Sequence, residues 1–200
     1  MGEVDEYVAR LPDGLASYPE ATVKGSVVLA HCVHPAFRDV QRDTTVPAEA
    51  RHLLEEPPTR TTWVAEAHFN ALMAALYDRT FRTTGGYEAY EAWVTAQSRK
   101  LFETNLYRIL FVFVSPERLL AATANRWAAF HRGTTLDLVK KGDKRFEVEL
   151  KAPAHLYSPM AFHGFSGAFR AAVLAAGGSI ASIEWTPRSP SAVRWSLQLG

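Results

Sequence analysis

The sequence predicts an α+β fold, with a helical N-terminal half followed by a strand-strand-helix-strand-strand unit built on an antiparallel sheet. Three observations carry this. As far as Phe130 the apolar residues recur mainly at helical spacing. From Thr134 the period drops to two: Phe146, Val148 and Leu150 alternate with Arg145, Glu147, Glu149 and Lys151. Such alternation means a sheet with one wet face. Between two such hairpins lies Ser158 to Gly178, SPMAFHGFSGAFRAAVLAAGG, a helix with both ends marked.

Taken in order, residues 1–20 are acidic and interrupted by Pro12, Gly14 and Pro19, and are expected to form an irregular tail. Residues 21–200 are expected to form a single domain. Val23 to Val33 reads either as a buried strand, favoured by its β-branched residues, or as a helix from Ser26. Thr45 to Leu54 is expected to be helical, closed by the connector Glu55-Glu56-Pro57-Pro58. The next helix, Thr62 to Phe81, carries Ala65, Phe69, Leu72, Met73 and Leu76 on one face. Gly85-Gly86 separates it from Tyr87 to Asn105, with Tyr90, Trp93, Val94, Gln97 and Leu101 on one side. Tyr107 to Val114 is a short, almost wholly apolar run and is expected to be buried.

Ser115-Pro116-Glu117 is a strong helix start: a capping serine, proline at the first position and an acid in the first turn. This helix is expected to reach Phe130, with Gly133 ending it. The first hairpin pairs Thr134–Lys140 with Lys144–Lys151. The second pairs Ile180–Thr186 with Ala192–Leu199, in which Val193, Trp195, Leu197 and Leu199 face inward.

In the helix between them Ser158 stands at the cap, Pro159 at the first turn and Gly177-Gly178 at the left-handed end. Phe162, Phe165, Phe169, Ala172, Val173 and Ala176 form an apolar stripe expected to lie on the sheet. Beside it runs a row of small residues, including Gly164, Gly167, Ala168 and Ala171. A glycine inside a helix costs about 1 kcal/mol against alanine, so two imply that something presses on this backbone. That something could be a sheet, another helix or a ligand. With this helix as the crossover between two hairpins, the sheet or an interface with another molecule is the expected partner ahead of a ligand wall.

Composition narrows the function classes. With 48% hydrophobic and 22% charged residues, the chain is an ordinary globular one. A formal charge of +1 gives no general attraction to nucleic acid or anionic membranes. The single cysteine, Cys32, rules out an internal disulfide framework and fits a reducing compartment, so a cytoplasmic protein is expected. The N-terminus lacks the basic-then-apolar pattern of a signal peptide, and no apolar run reaches the length of a membrane span.

Candidate chemistry is sparse. His31-Cys32-Val33-His34 places two metal-capable histidines one turn apart if helical, but no partner motif supplies further ligands, and no metal is expected. His68 borders an apolar helix face. Lys140-Lys141-Gly142-Asp143-Lys144-Arg145 makes a basic hairpin tip, a common solvated turn. No nucleophile elbow, P-loop, dinucleotide fingerprint or H-E-x-x-H motif is present, so no catalytic residue is assigned and an enzyme is not expected.

Several phrases carry a resemblance: Val23-Lys24-Gly25-Ser26-Val27-Val28, the helix from Trp63, Asn105-Leu106-Tyr107-Arg108, Ser115 to Leu120, Trp127 to Gly133 and the closing Trp195-Ser196-Leu197. Across most of residues 22–199 the chain resembles a large myxobacterial family of paralogous proteins of similar length. That family is similar in architecture to haem–nitric-oxide-binding domains, vinyl-reductase-like domains and small subunits of vesicle-tethering complexes. The resemblance implies an α+β ligand-binding or interaction module. It carries over no site: where haem-binding relatives have Tyr-x-Ser-x-Arg, Tyr157 is followed by Ser158-Pro159-Met160. Any cofactor therefore stays unknown at this level.

Two functions are expected. One is a sensory or regulatory module binding a small apolar ligand between helices and sheet, with His68, Tyr90, Trp93 and Trp127 as ligand-binding residues. The other is a homodimer or protein-interaction module using the row at Gly164, Gly167, Ala168 and Ala171.

Overall fold

The structure, a computed structural model, describes residues 2–32, 35–104, 107–108, 114–142 and 144–200. It is α+β, as the change of period requires. The first 20 residues correct the expectation of an irregular tail. Glu3–Arg10 is a helix, α1, and Gly14–Ala16 a short 3-10 turn. Val4, Tyr7, Leu11 and Leu15 are buried, an amphipathic spacing that the breakers at Pro12 and Gly14 conceal. Tyr7 Oη donates to the Leu156 carbonyl at 2.9 Å, tying α1 to the C-terminal half.

The ambiguous stretch is both things in turn. Thr22–Lys24 is a strand, β1, and Gly25–Cys32 a helix, α2. The change falls at Gly25, where a Cβ would stand 2.1 Å from the Thr59 carbonyl oxygen, so any side chain would collide with backbone. Two short helices follow, α3 (Phe37–Gln41) and α4 (Ala48–Glu55). The predicted Thr62–Phe81 helix opens instead as a strand, β2 (Trp63–Ala65), before α5 (Glu66–Leu76) and a π-helical turn, Tyr77–Phe81. The next helix is α6, Gly86–Phe102.

Of the apolar run Tyr107–Val114, residues 109–113 lie outside the described residues. Tyr107 itself is buried, its hydroxyl 2.5 Å from that of Ser26 on α2. The helix expected to reach Phe130 is two shorter ones, α7 (Pro116–Ala121) and α8 (Thr123–Trp127). Ser115 does cap α7, accepting from the Arg118 N–H at 3.4 Å. Past α8 the chain becomes a strand, β3 (His131–Arg132). β3 and β2 flank β1 in a small antiparallel sheet ordered β2-β1-β3. Gly133 then turns with φ +70°, and a Cβ there would stand 2.8 Å from the Ala21 backbone, so a side chain would collide.

The larger sheet contains β4 (Thr135–Lys141), β5 (Arg145–Lys151), β6 (Ile180–Ser189) and β7 (Ala192–Leu199). Its order is β4-β5-β7-β6 and every neighbouring pair is antiparallel. Phe146, Val148, Leu150, Val193, Trp195 and Leu197 are buried on one face, as the alternation predicts. The crossover helix is α9, Pro159–Ala175. Gly177, at φ +78°, ends it: its N–H bonds the Leu174 carbonyl while the Gly178 N–H reaches Val173, both at 3.0 Å. Ser158 occupies the cap position without a capping bond from its side chain.

The phenylalanine stripe of α9 lies on the sheet. Phe162, Phe165 and Phe169 stand edge-on to the Trp195 ring, with centroids 5.9, 6.1 and 5.4 Å away. The two glycines of the small-residue row face another helix and not the sheet, which corrects the expectation of a sheet contact for them. They pack on α6: a Cβ on Gly164 would lie 3.3 Å from Tyr90 Oη, and one on Gly167 2.6 Å from the Glu91 carbonyl oxygen. Ala171 is fully buried. Arg170 fastens the same contact, its Nε donating to Glu91 at 2.8 Å.

Candidate functional site

Behind that helix pair lies a cavity of about 160 Å³. Three helices shape it by simple spacing. α5 contributes Glu66, Phe69, Asn70 and Met73, one face of a helix at i, i+3, i+4 and i+7. α6 contributes Tyr90, Val94, Ser98 and Leu101. α9 contributes Ala161, Gly164, Phe165, Ala168 and Phe169. Its small members leave space that larger side chains would fill. Leu119, Leu120, Trp127 and Phe130 close one end and Leu136 of β4 another.

The wall is mostly hydrocarbon, and its polar groups are few and buried. Glu66, only 1% exposed, is the first residue of α5, where the partial positive charge of the helix end favours a carboxylate. His131 Nδ1 lies 3.3 Å from Glu66 Oε2. The His131 ring stacks on Trp127 with centroids 3.9 Å apart and an interplanar angle of 12°. Trp127 Nε1 donates in turn to Thr134 Oγ1 at 2.9 Å, so the stack is held from both sides. Burial, and then the charge of Glu66, push the Tyr157 phenol well above its ordinary range. Asn70 Nδ2 donates to the Glu66 carbonyl at 3.0 Å.

His31 of α2 forms a second polar point. Its Nδ1 is 2.8 Å from the Val27 carbonyl, and its ring meets Phe69 and Trp93 edge-on. Burial lowers its pKa, so the neutral ring donates through Nδ1 and leaves Nε2 as an acceptor. Arg126 also reaches the wall.

Of the four ligand-binding residues expected from sequence, Tyr90 and Trp127 line the cavity. Trp93 stands behind it, its ring 6.1 Å from Tyr90 and 5.6 Å from His31. His68 is not brought to this cavity: it lies on the opposite side of α5, beside Ala48 and His52 of α4. Sequence reasoning missed Glu66, Asn70 and His131 and valued His31 only as a metal ligand. Glu66 and His131 are 65 positions apart, so no local motif announces them. Their only sequence signal is an acid and a histidine within otherwise apolar stretches. His34, the other half of the metal candidate, lies outside the described residues. Among the described residues no cluster of three or more His, Cys, Asp or Glu side chains could hold a metal. Nor, among them, is any helix long and apolar enough to cross a membrane.

No family model and no curated protein matches this chain. Solved structures do share its fold. The Fe(II) unliganded H-NOX protein from K. algicida superposes with TM-score 0.54 and 12% identity over 88% of this chain and 96% of its own. Cs H-NOX gives TM-score 0.58 and 15% identity over 88% and 96%. A mutant H-NOX of T. Tengcongensis gives 0.57 and 14% over 88% and 97%. A further match comes from work on heme distortion in the H-NOX family. At these identities the likeness establishes a common fold.

Proposed function

We propose that this chain is a non-enzymatic sensory or regulatory module that binds a small apolar molecule in the cavity beneath α9. The observation that carries the reading is the cavity itself, about 160 Å³ and lined almost entirely by aliphatic and aromatic side chains. An engineered apolar cavity of roughly 150 Å³ takes benzene or xenon, so a single-ring occupant matches this volume. The fold shared with H-NOX proteins supports a ligand-binding role, and the short phrases that resemble the myxobacterial family support membership of it.

The residues present do not fit haem. A porphyrin is several times larger than the cavity, whose wall includes the stacked Trp127 and His131 rings. Of the two histidines on the wall, His131 has Nδ1 engaged with Glu66 and a face covered by Trp127, and His31 is packed edge-on between Phe69 and Trp93. Arg126 is the single lysine or arginine on the described wall, against the two propionates a haem presents. Gly164 and Gly167 of the row expected to dimerise lie against α6 within the same chain, which favours the ligand reading over the dimerisation one. A single cysteine suits a reducing compartment, so the cytoplasm is the proposed location.

The test is titration of purified protein with toluene and with hemin. Toluene at 100 times its dissociation constant should stabilise the fold by about 2.7 kcal/mol, visible as a rise in Tm. Hemin should give no stoichiometric Soret band. A tight one-to-one Soret titration, or no response to toluene or any other single-ring compound, overturns the proposal.

A further inference from the structure

The cavity is not uniformly apolar, and its polar pole narrows the class of ligand. We infer that the occupant is a single-ring molecule bearing one hydrogen-bond donor, a hydroxyl or amino group, which is received by the Glu66 carboxylate. This rests on the proposal that the cavity binds a small apolar molecule and specifies its chemistry.

Glu66 lines the cavity while being only 1% exposed to solvent. A buried carboxylate must be compensated or it is strongly unfavourable. Part of that compensation is visible: the N-terminus of α5, and His131 at 3.3 Å from Oε2. A carboxylate can accept at about four lone-pair positions, however, and His131 fills one. The Tyr157 hydroxyl is a second neighbour of the carboxylate, near enough for the Glu66 charge to oppose its ionisation and to be shared between Glu66 and Thr134. With neither does it reach normal hydrogen-bond geometry, so at least two of the four positions stay open. Acceptor capacity is therefore left on a group that borders an apolar space of single-ring size. Such a combination recognises an amphipathic ring, because the site can reward a donor that a wholly apolar cavity would penalise.

The alternative pole is Arg126, whose guanidinium would instead favour an anionic ring. The two differ in the sign of the group they select, so ligands of matched size decide between them. Toluene, phenol, aniline and benzoate should each be titrated calorimetrically into the wild-type protein and into Glu66→Leu. In the wild type, phenol or aniline is expected to bind at least about tenfold more tightly than toluene, the value of one charge-assisted hydrogen bond. In Glu66→Leu that preference should disappear while toluene still binds, which shows the cavity intact. Should the variant fail to fold, His31→Phe, which removes a second acceptor on the wall, decides instead. It should keep the full preference for phenol and aniline, and loss of the preference there would overturn the assignment to Glu66. Toluene preferred over phenol and aniline would overturn this inference while leaving the apolar-ligand proposal standing. Benzoate preferred over all would overturn it in favour of Arg126. Failure of every ring to bind would remove the underlying proposal as well.

Discussion

The backbone of α9 at Gly167 lies so close to the Glu91 carbonyl that a Cβ would stand 2.6 Å from its oxygen. Backbone cannot yield as a side chain can. Gly167→Ala should therefore destabilise the protein by about 2 kcal/mol, in spite of the roughly 1 kcal/mol gained in helix propensity. Gly164→Ala meets side-chain atoms of Tyr90, its hydroxyl at 3.3 Å and ring carbons from 3.5 Å, and should be close to neutral. Urea titrations of both variants check the order, and equal effects would contradict it.

The indole of Trp195 donates to Ser166 Oγ at 3.0 Å, and that hydroxyl donates to the Phe162 carbonyl at 3.0 Å. Trp195 is fully buried. Ser166→Ala leaves the indole N–H without its acceptor and should cost about 1–3 kcal/mol. Loss of stability without a change in m-value is the expected outcome of chemical unfolding.

Ala168 borders the cavity from α9. Ala168→Leu should fill part of it, raise stability by about 0.5–2 kcal/mol and abolish the toluene-induced shift in Tm. A variant that kept the shift would place the ligand elsewhere.

His31 is buried and its pKa lies below the ordinary value of 6.5, because burial disfavours the charged ring. Below that value the unfolded chain binds the proton and the folded one resists it, so stability is complete above pH 6.5 and falls as pH drops through it. The slope should reach about 1.4 kcal/mol per pH unit until the folded pKa is met. Comparing unfolding between pH 7.5 and 5.5, roughly one unit either side of the free histidine pKa, should show a flatter profile for His31→Phe.

Much of the fold was legible because it rests on periodicity. The two hairpins, the crossover helix and the facing of Trp195 follow from alternation and spacing that extend over seven or more residues. What sequence reading missed was short or long-range. β1 and β2 have three residues each, too few for an alternation to register, and they run straight into helices. The glycines of α9 announced a close approach but not what approached, since spacing carries no information about a partner helix some 70 residues earlier. Tyr90 and Trp127 were found because large aromatics border cavities as well as cores. Glu66 and His131 meet only because β1 draws β2 and β3 together, with Ala65 and Arg132 both paired to Thr22.

That last pairing has a mechanical meaning. His131 belongs to the small sheet, and only Gly133 and Thr134 separate its strand from β4 of the large one. Thr134 also receives the Trp127 indole. A guest that displaced the His131 ring would pull on a lever with a two-residue arm, whose far end is the edge of the second sheet. Leu136 of β4 borders the same cavity, so the edge strand meets the pocket both through the chain and through its own side chain.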